Sequence, residues 1–376
     1  MEMIVNNEYF SKAISDVCRG VLLKSTYLNL SGIKLVVDHE NVKLLGTNQE
    51  IFIERVIPLS IDGKKVLEVV EPGTVVLSSK YLSEMIKKMP NDIHIKVKSN
   101  RSVSIQSDEI MTTLNGFDPN EFPELPDIKN STYCKIPTVV LLEMIRQTIF
   151  AVSTTDLKPV LTGVCMTFCE GKISFAATNS HRLAYKELLI DSNIRTTVIV
   201  PSNTLAEVMK LLSNETDDTQ IFISKTIIVF KTSTLAIYSR LIEGTFPNIQ
   251  GLIPKECKTT ITLKTKPFLK GIDRATLFAN EWKNNNVHLE IKNSSELSIS
   301  SSSNEIGKME ETQSCAGIIG DMNCRISLNG SFLIDVLKVM KEEEIRIKFN
   351  GSMKPVLIEP VGEDSSQFLI SPVRSK

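Results

Sequence analysis

Three stretches of the chain, residues 77–89, 200–212 and 328–340, align with one another without a gap. Each carries a leucine (Leu82, Leu205, Leu333), an acid (Glu84, Glu207, Asp335) and a lysine (Lys87, Lys210, Lys338) at matching positions. The anchors lie 123 and 128 residues apart, which is the length of a domain and far longer than a solenoid repeat. Each stretch has Ser or Asn where an N-cap would sit (Ser78, Ser202, Asn329) and then places apolar residues at helical spacing, as in Leu205, Val208, Met209 and Leu212, so each predicts a capped amphipathic helix. A second helix precedes each one, marked by the one-turn pairs Phe10 with Ile14, Leu141 with Ile145, and Phe268 with Ile272. The chain is therefore expected to be one unit written three times, with two helices per unit.

Between the paired helices lie alternating runs at 32–45, 163–175 and 287–299, each reading as two strands around a polar or glycine turn. Further hairpins are expected at 93–105, 221–237 and 345–358. Prolines punctuate the same period at Pro123 and Pro126, and again from Pro247 to Pro254. The predicted fold class is α+β, with antiparallel sheets in three units spanning 1–126, 127–254 and 255–376.

Composition narrows the function. With 42% apolar and 23% charged residues, and no run near the roughly 18 apolar residues of a membrane span, the chain reads as an ordinary globular protein with no membrane partner. The N-terminus lacks the basic start and apolar run of a signal peptide, which points to the cytosol. Seven scattered cysteines fit neither a disulfide framework nor a zinc site and read as reduced, packed thiols. No cofactor is implied, since no phosphate-cradling glycine loop and no metal-ligand spacing of the four histidines (His39, His94, His181, His288) is present. An enzymatic reading would use Cys165 or Cys169 as nucleophile with His181 as base, but two cysteines four apart in a strand share one face and read as core filling.

The formal net charge of -1 excludes binding to nucleic acid through overall basicity. Its distribution is uneven: the six helical segments sum to +6, leaving -7 for the rest. The basic side chains on the helices are Lys12, Lys80, Lys87, Lys88, Arg146, Lys210, Lys266, Lys270, Arg274, Lys338 and Lys341, with Lys24 just beyond the first helix. Scattered lysines usually mark solvated faces. Here the repeat places Lys87, Lys210 and Lys338 equivalently, so units packed head to tail would line one surface with them. At about 10 Å per helix, six helices would enclose a hole only about 10 Å wide, whereas twelve give one near 28 Å. Only the wider hole admits a DNA duplex, so two chains would be needed. Contacts to phosphates carry no sequence information, and such a homodimer would hold double-stranded DNA by topology.

The segment Ala176-Ala177-Thr178-Asn179-Ser180-His181-Arg182-Leu183-Ala184 resembles the Ala-Thr-Asp-Gly/Ser-His-Arg-Leu-Ala stretch of the replicative sliding clamps, the beta subunits of bacterial DNA polymerase III. Leu241-Ile242-Glu243-Gly244-Thr245-Phe246-Pro247 and the terminal Ile370-Ser371-Pro372-Val373-Arg374 are similar to two further family motifs, and the likeness covers the whole chain. It implies a non-catalytic processivity factor that encircles duplex DNA and tethers the polymerase III alpha subunit, the clamp loader and other clamp-motif proteins. It also implies a peptide pocket between the second and third units. Leu161, Thr178, His181, Arg182, Leu183, Pro247 and Leu252 would form one wall, and Phe332, Met353, Pro355, Leu369, Ile370, Pro372, Val373 and Arg374 the other. At ring closure Leu114 would face Leu277 and Phe278 of a partner chain. Asn179 stands where the family usually has Asp, Gly251 where some members have Arg, and Thr112 where an aromatic is common. The alternative that Thr112 motivates is a divergent second clamp acting mainly as a partner-binding scaffold with weak ring closure.

Overall fold

A computed structural model describes residues 1–22, 28–128, 131–155, 157–254, 256–279, 285–322 and 324–373. Two helices arise from each repeat, as the periodicity predicts: α1 (Asn7–Cys18), α2 (Ser79–Ile86), α3 (Thr138–Ile149), α4 (Ser202–Leu212), α5 (Thr265–Ala279) and α6 (Gly330–Val339). Asn6 caps α1 by accepting the Glu8 N–H, and Asn329 caps α6 by accepting those of Ser331 and Phe332. The apolar stripe of α1, Phe10, Ala13, Ile14 and Val17, is buried, and Phe268, Ile272, Ala275 and Ala279 are its counterpart in α5. Two helices end earlier than expected. After Ile86 the chain tightens into turns ahead of Pro90, and Met340 is extended, so Lys87, Lys88 and Lys341 lie just past the helix ends.

Antiparallel pairing organises the strands into sheets of five, eight, nine and four, plus a two-stranded ribbon. The backbone groups into two compact units. One comprises Met1–Val139 and Ala206–Leu241 and holds the five- and eight-stranded sheets; the other comprises Val140–Leu205 and Ile242–Lys376 and holds the nine- and four-stranded sheets. The reason lies in two strand pairings that cross from repeat to repeat. Strand Ile51–Pro58 of the first repeat pairs with Leu235–Arg240 of the second, with Phe52 opposite Tyr238. Strand Arg182–Leu189 of the second pairs with Ser366–Ile370 of the third, with Leu183 opposite Leu369. The central repeat is thus divided between two continuous sheets.

These joints use the same strands of each repeat. Ile51–Pro58, Arg182–Leu189 and Gly307–Ser314 are each the third strand of the run between a repeat's two helices, and Ile110–Asn115, Leu235–Arg240 and Ser366–Ile370 are each the strand that closes a repeat's second sheet. Four of these six are joined in pairs. The remaining two, Ile110–Asn115 and Gly307–Ser314, are sheet edges.

Candidate peptide-binding site and basic helix faces

The segment singled out in the sequence forms a tight turn between strands Lys172–Thr178 and Arg182–Leu189. Thr178 Oγ1 donates to the carbonyl of Arg182 at 2.6 Å, and Asn179 Oδ1 accepts the N–H groups of His181 and Arg182, both at 3.1 Å. Ser180 takes φ +74° to close the turn, a left-handed conformation that a short polar residue tolerates. The amide oxygen of Asn179 makes both bonds that a carboxylate would make here, so replacing Asp keeps the turn and removes a charge.

His181 is thereby presented exposed, with its carbonyl accepting the Ser371 N–H at 2.8 Å. Arg182 is committed elsewhere. Its guanidinium bonds Asp335 at 2.5 Å, donates to the Phe150 carbonyl, and lies over the rings of Phe332 and Phe150 at 4.5 and 5.3 Å. The side chain is only 11% exposed, and Nε is buried without a hydrogen-bond partner. Of these two wall residues, His181 alone presents an exposed side chain, while Arg182 is turned inward and braces the wall.

Beneath the turn, Leu183, Leu357 and Leu369 form a buried apolar cluster against which Ile249 and Ile253 pack. Leu161 is buried at the end of a short 3-10 turn, and Thr178 is buried under its own hydrogen bond. Leu252 and Met353 are exposed by 54% and 56%, and Pro247 and Pro355 are exposed too. Phe332, Pro372 and Val373 are half-buried, while Arg374 lies outside the described residues. Ile370 is fully buried, so it supports the floor from below and cannot touch a ligand in this conformation. The arrangement is an apolar floor with an exposed rim that includes Leu252 and Met353, suited to seating an apolar side chain.

For the enzyme reading, Cys165 is buried, its thiol pushed up by that burial, and no hydrogen bond joins it to His181. Among the described residues no cluster of three His, Cys, Asp or Glu could hold a metal, and no helix is long and apolar enough to cross a membrane.

Of the basic residues, Lys12, Lys80, Lys87, Lys88, Lys210, Lys266, Lys270, Arg274, Lys338 and Lys341 are exposed and Arg146 is half-buried; Lys24 lies outside the described residues. Several are paired. Lys88 reaches Glu84 at 4.0 Å, Arg146 reaches Glu143 at 2.8 Å, Lys210 reaches Glu207 at 3.1 Å, and Lys341 also binds Glu143. Arg274 forks onto Glu311 at 2.7 and 2.8 Å. Lys87, Lys270 and Lys338 have no ion pair among the described residues. At the expected closure, Leu277 is 65% exposed, Phe278 and Leu114 are half-buried, and Thr112 shares the face of Leu114.

Three family models cover almost the whole chain: the N-terminal domain of the DNA polymerase III beta subunit matches residues 1–126, its central domain 135–248, and its C-terminal domain 250–374. The chain belongs to the DNA polymerase III beta subunit family. It is 36% identical to the beta sliding clamp of Halalkalibacterium halodurans and 36% identical to that of Bacillus subtilis, over 100% of each chain. The crystal structure of the Bacillus subtilis sliding clamp superposes with a TM-score of 0.96, again over 100% of both chains.

This clamp is a non-catalytic processivity subunit of DNA polymerase III, built from three clamp domains with six helices and antiparallel sheets. Sequence reasoning missed the residues that hold its pocket in shape. Asp335 was visible as the third member of the aligned acids Glu84, Glu207 and Asp335, yet its partner Arg182 lies 153 residues away. Phe150, Ile249, Ile253 and Leu357 carry no local signal, since any apolar residue suits a buried position.

Proposed function

We propose that two copies of this clamp close head to tail into a ring around duplex DNA, with the helices toward the hole, and hold DNA in the cytoplasm without sequence preference. The observation that carries the reading is the unfilled joint. Each internal joint consumes one strand of each kind, and a single chain leaves Gly307–Ser314 and Ile110–Asn115 over. A second copy would supply both missing pairings at once, which is how a head-to-tail contact closes. Exposed apolar residues support it: Ile110, Met111, Leu277 and Ile306 are 43%, 65%, 65% and 56% exposed on or beside these edges. Leu114 is then expected to face the partner's Leu277 and Phe278.

The register follows by equivalence. Gly307 pairs with Ser303, the last residue of the preceding strand, as Phe52 pairs with Thr47, and Ile110 opens its strand as Leu235 does, which sets Gly307 opposite Thr113 and Met309 opposite Met111. Twelve helices would then surround the duplex, with Lys12, Lys80, Lys87, Lys88, Arg146, Lys210, Lys270, Arg274, Lys338 and Lys341 facing phosphates, together with Lys24 outside the described residues.

The pocket beside His181 would take short peptides from the polymerase III alpha subunit, the clamp loader and other clamp-motif proteins. Pro247, Leu252, Phe332, Met353, Pro355, Pro372 and Val373 would form its rim, with Leu161, Thr178, Leu183, Leu369 and Ile370 beneath it; Arg374, also expected there, lies outside the described residues. Light scattering across dilution tests the ring: a dimer mass at micromolar concentration is expected, and a monomer would favour a partner-binding scaffold. Retention on circular DNA that is lost on linearisation tests encirclement, and equal release from both forms would refute it. Deleting Val373–Lys376 should abolish binding of a polymerase tail peptide, and unchanged affinity would remove those residues from the site.

A further inference from the structure

The turn that presents His181 has a twin in the first repeat. Thr47 Oγ1 donates to the Ile51 carbonyl at 2.9 Å, as Thr178 Oγ1 does to that of Arg182. Gln49 N–H bonds Thr47 Oγ1 at 2.9 Å, as Ser180 N–H bonds Thr178 Oγ1 at 3.1 Å. Asn48 Oδ1 accepts the N–H groups of Glu50 and Ile51 at 3.0 and 2.8 Å, as Asn179 Oδ1 accepts those of His181 and Arg182. Gln49 has φ +75° and Ser180 φ +74°. Even the strand that follows corresponds, since Arg240 N–H bonds the Glu50 carbonyl at 3.0 Å and Ser371 N–H that of His181 at 2.8 Å.

The floor is equivalent as well. Phe52, Val229 and Tyr238 take the places of Leu183, Leu357 and Leu369, with Leu125 and Ile128 packed where Ile249 and Ile253 pack. Between this turn and the proline-bounded segment Pro123 to Pro126 is a cavity of about 250 Å³, lined by Gln49, Glu50, Phe52, Glu124, Ile227 and Tyr238 among others. That is smaller than the roughly 300 Å³ at which whole-ligand pockets begin, and fits one or two side chains. Glu50 stands where His181 stands, so a carboxylate replaces an imidazole at the mouth. Glu50 and Glu124 are exposed and have no ion pair among the described residues; Arg240, whose backbone N–H bonds the Glu50 carbonyl, is the one cation of the lining against these two acids.

We propose that this cavity is a second peptide-docking site, one that prefers basic segments. It seats an apolar side chain of an extended partner segment against Phe52, Tyr238 and Ile227, while a neighbouring Lys or Arg of that segment faces Glu50 and Glu124. The inference takes peptide capture beside His181 as its template and rests on that reading. A clamp with two such pockets engages one partner through acidic and another through basic segments, and the two do not compete for the same cavity.

The test uses the full chain and two fluorescein-labelled hexapeptides, Lys-Leu-Phe-Arg-Leu-Lys and its counterpart Glu-Leu-Phe-Glu-Leu-Glu, followed by fluorescence anisotropy and by hydrogen exchange. The basic peptide is expected to bind saturably, to protect residues 49–52 and 123–126, and to lose about tenfold in affinity in Glu50→Lys/Glu124→Lys, a change of about 1.4 kcal/mol. The surface control Glu40→Lys/Glu256→Lys should leave binding within about twofold, and deletion of Val373–Lys376 should leave it unchanged. Equal losses in the two double variants, protection at 181–183 instead, or no saturation by about 1 mM would each overturn the proposal. If the deletion fails to weaken a polymerase tail peptide while the basic peptide still maps to 49–52, the template reading fails and this site stands.

Discussion

Arg182 and Asp335 form an ion pair at 2.5 Å that ties the central domain to the C-terminal one. The N-terminal and central domains are tied in the same way, by Arg19 of the first repeat and Glu207 of the second. Glu207 and Asp335 occupy the same position in the repeated helix. A repeat acid thus captures an arginine of the preceding repeat twice, although the two arginines come from different elements, Arg19 from the end of α1 and Arg182 from a strand.

Replacing Arg182 should therefore act on the shape of the pocket before its chemistry. Arg182→Ala removes a charged hydrogen bond and leaves the faces of Phe332 and Phe150 uncovered, a loss of about 2–4 kcal/mol. Asp335→Asn keeps the size of the side chain and should cost about 1–2 kcal/mol. Chemical denaturation of both variants checks this ranking, and Arg182→Lys should not restore the wild-type midpoint because an ammonium cannot fork onto both acceptors.

Met111→Cys combined with Met309→Cys should yield a covalent dimer under mild oxidation, because the register carried over from the internal joints sets these residues opposite each other. Denaturing gels without reductant read the outcome. A shifted partner, Thr113→Cys with Met309→Cys, should link far less, since two residues along an antiparallel strand is about 7 Å.

Among the equivalent lysines, Lys87 and Lys338 have no ion pair among the described residues while Lys210 is held by Glu207. Lys338→Ala and Lys87→Ala should each lower the slope of log affinity against log salt by up to about 0.9, whereas Lys210→Ala should lower it less. Equilibrium binding to short duplexes across a salt series gives the slopes. Equal effects from all three would show that the Glu207 pair opens freely on binding.

His288 is kept below its ordinary pKa of 6.5 first by burial and then by the nearby charge of Arg325, and its ring nitrogen meets Ser327 Oγ at 2.7 Å. The folded chain therefore disfavours the protonated form. The unfolded chain takes up its proton first as pH falls through 6.5, so stability declines from there until the folded histidine is protonated as well. Thermal unfolding between pH 7.5 and 5.5 should show this loss, and His288→Gln should flatten it; an NMR titration should place the ring below 6.5.

Much of the fold is legible from spacing alone. Six helices and the hairpins between them follow from apolar residues at helical and alternating intervals, which depend only on backbone geometry. The ends of α2 and α6 were not legible, because the last turn is settled by local competition between hydrogen bonds that periodicity does not weigh. The pocket turn was readable from its Thr-Asn-Ser-His-Arg order, but the use of Arg182 was not. Its acceptors, Asp335 and the Phe150 carbonyl, come from distant parts of the chain.

The sequence by itself determined that three like domains of two helices each would form and that the chain is a sliding clamp, since period, caps and motifs are local properties of the chain. Tertiary structure decided which strands join across repeats, which lysines remain unpaired, and that the first-repeat turn shares every hydrogen bond of the His181 turn while carrying Glu50 in its place. The strand joins bring together segments more than a hundred residues apart, and a linear pattern holds no record of such meetings.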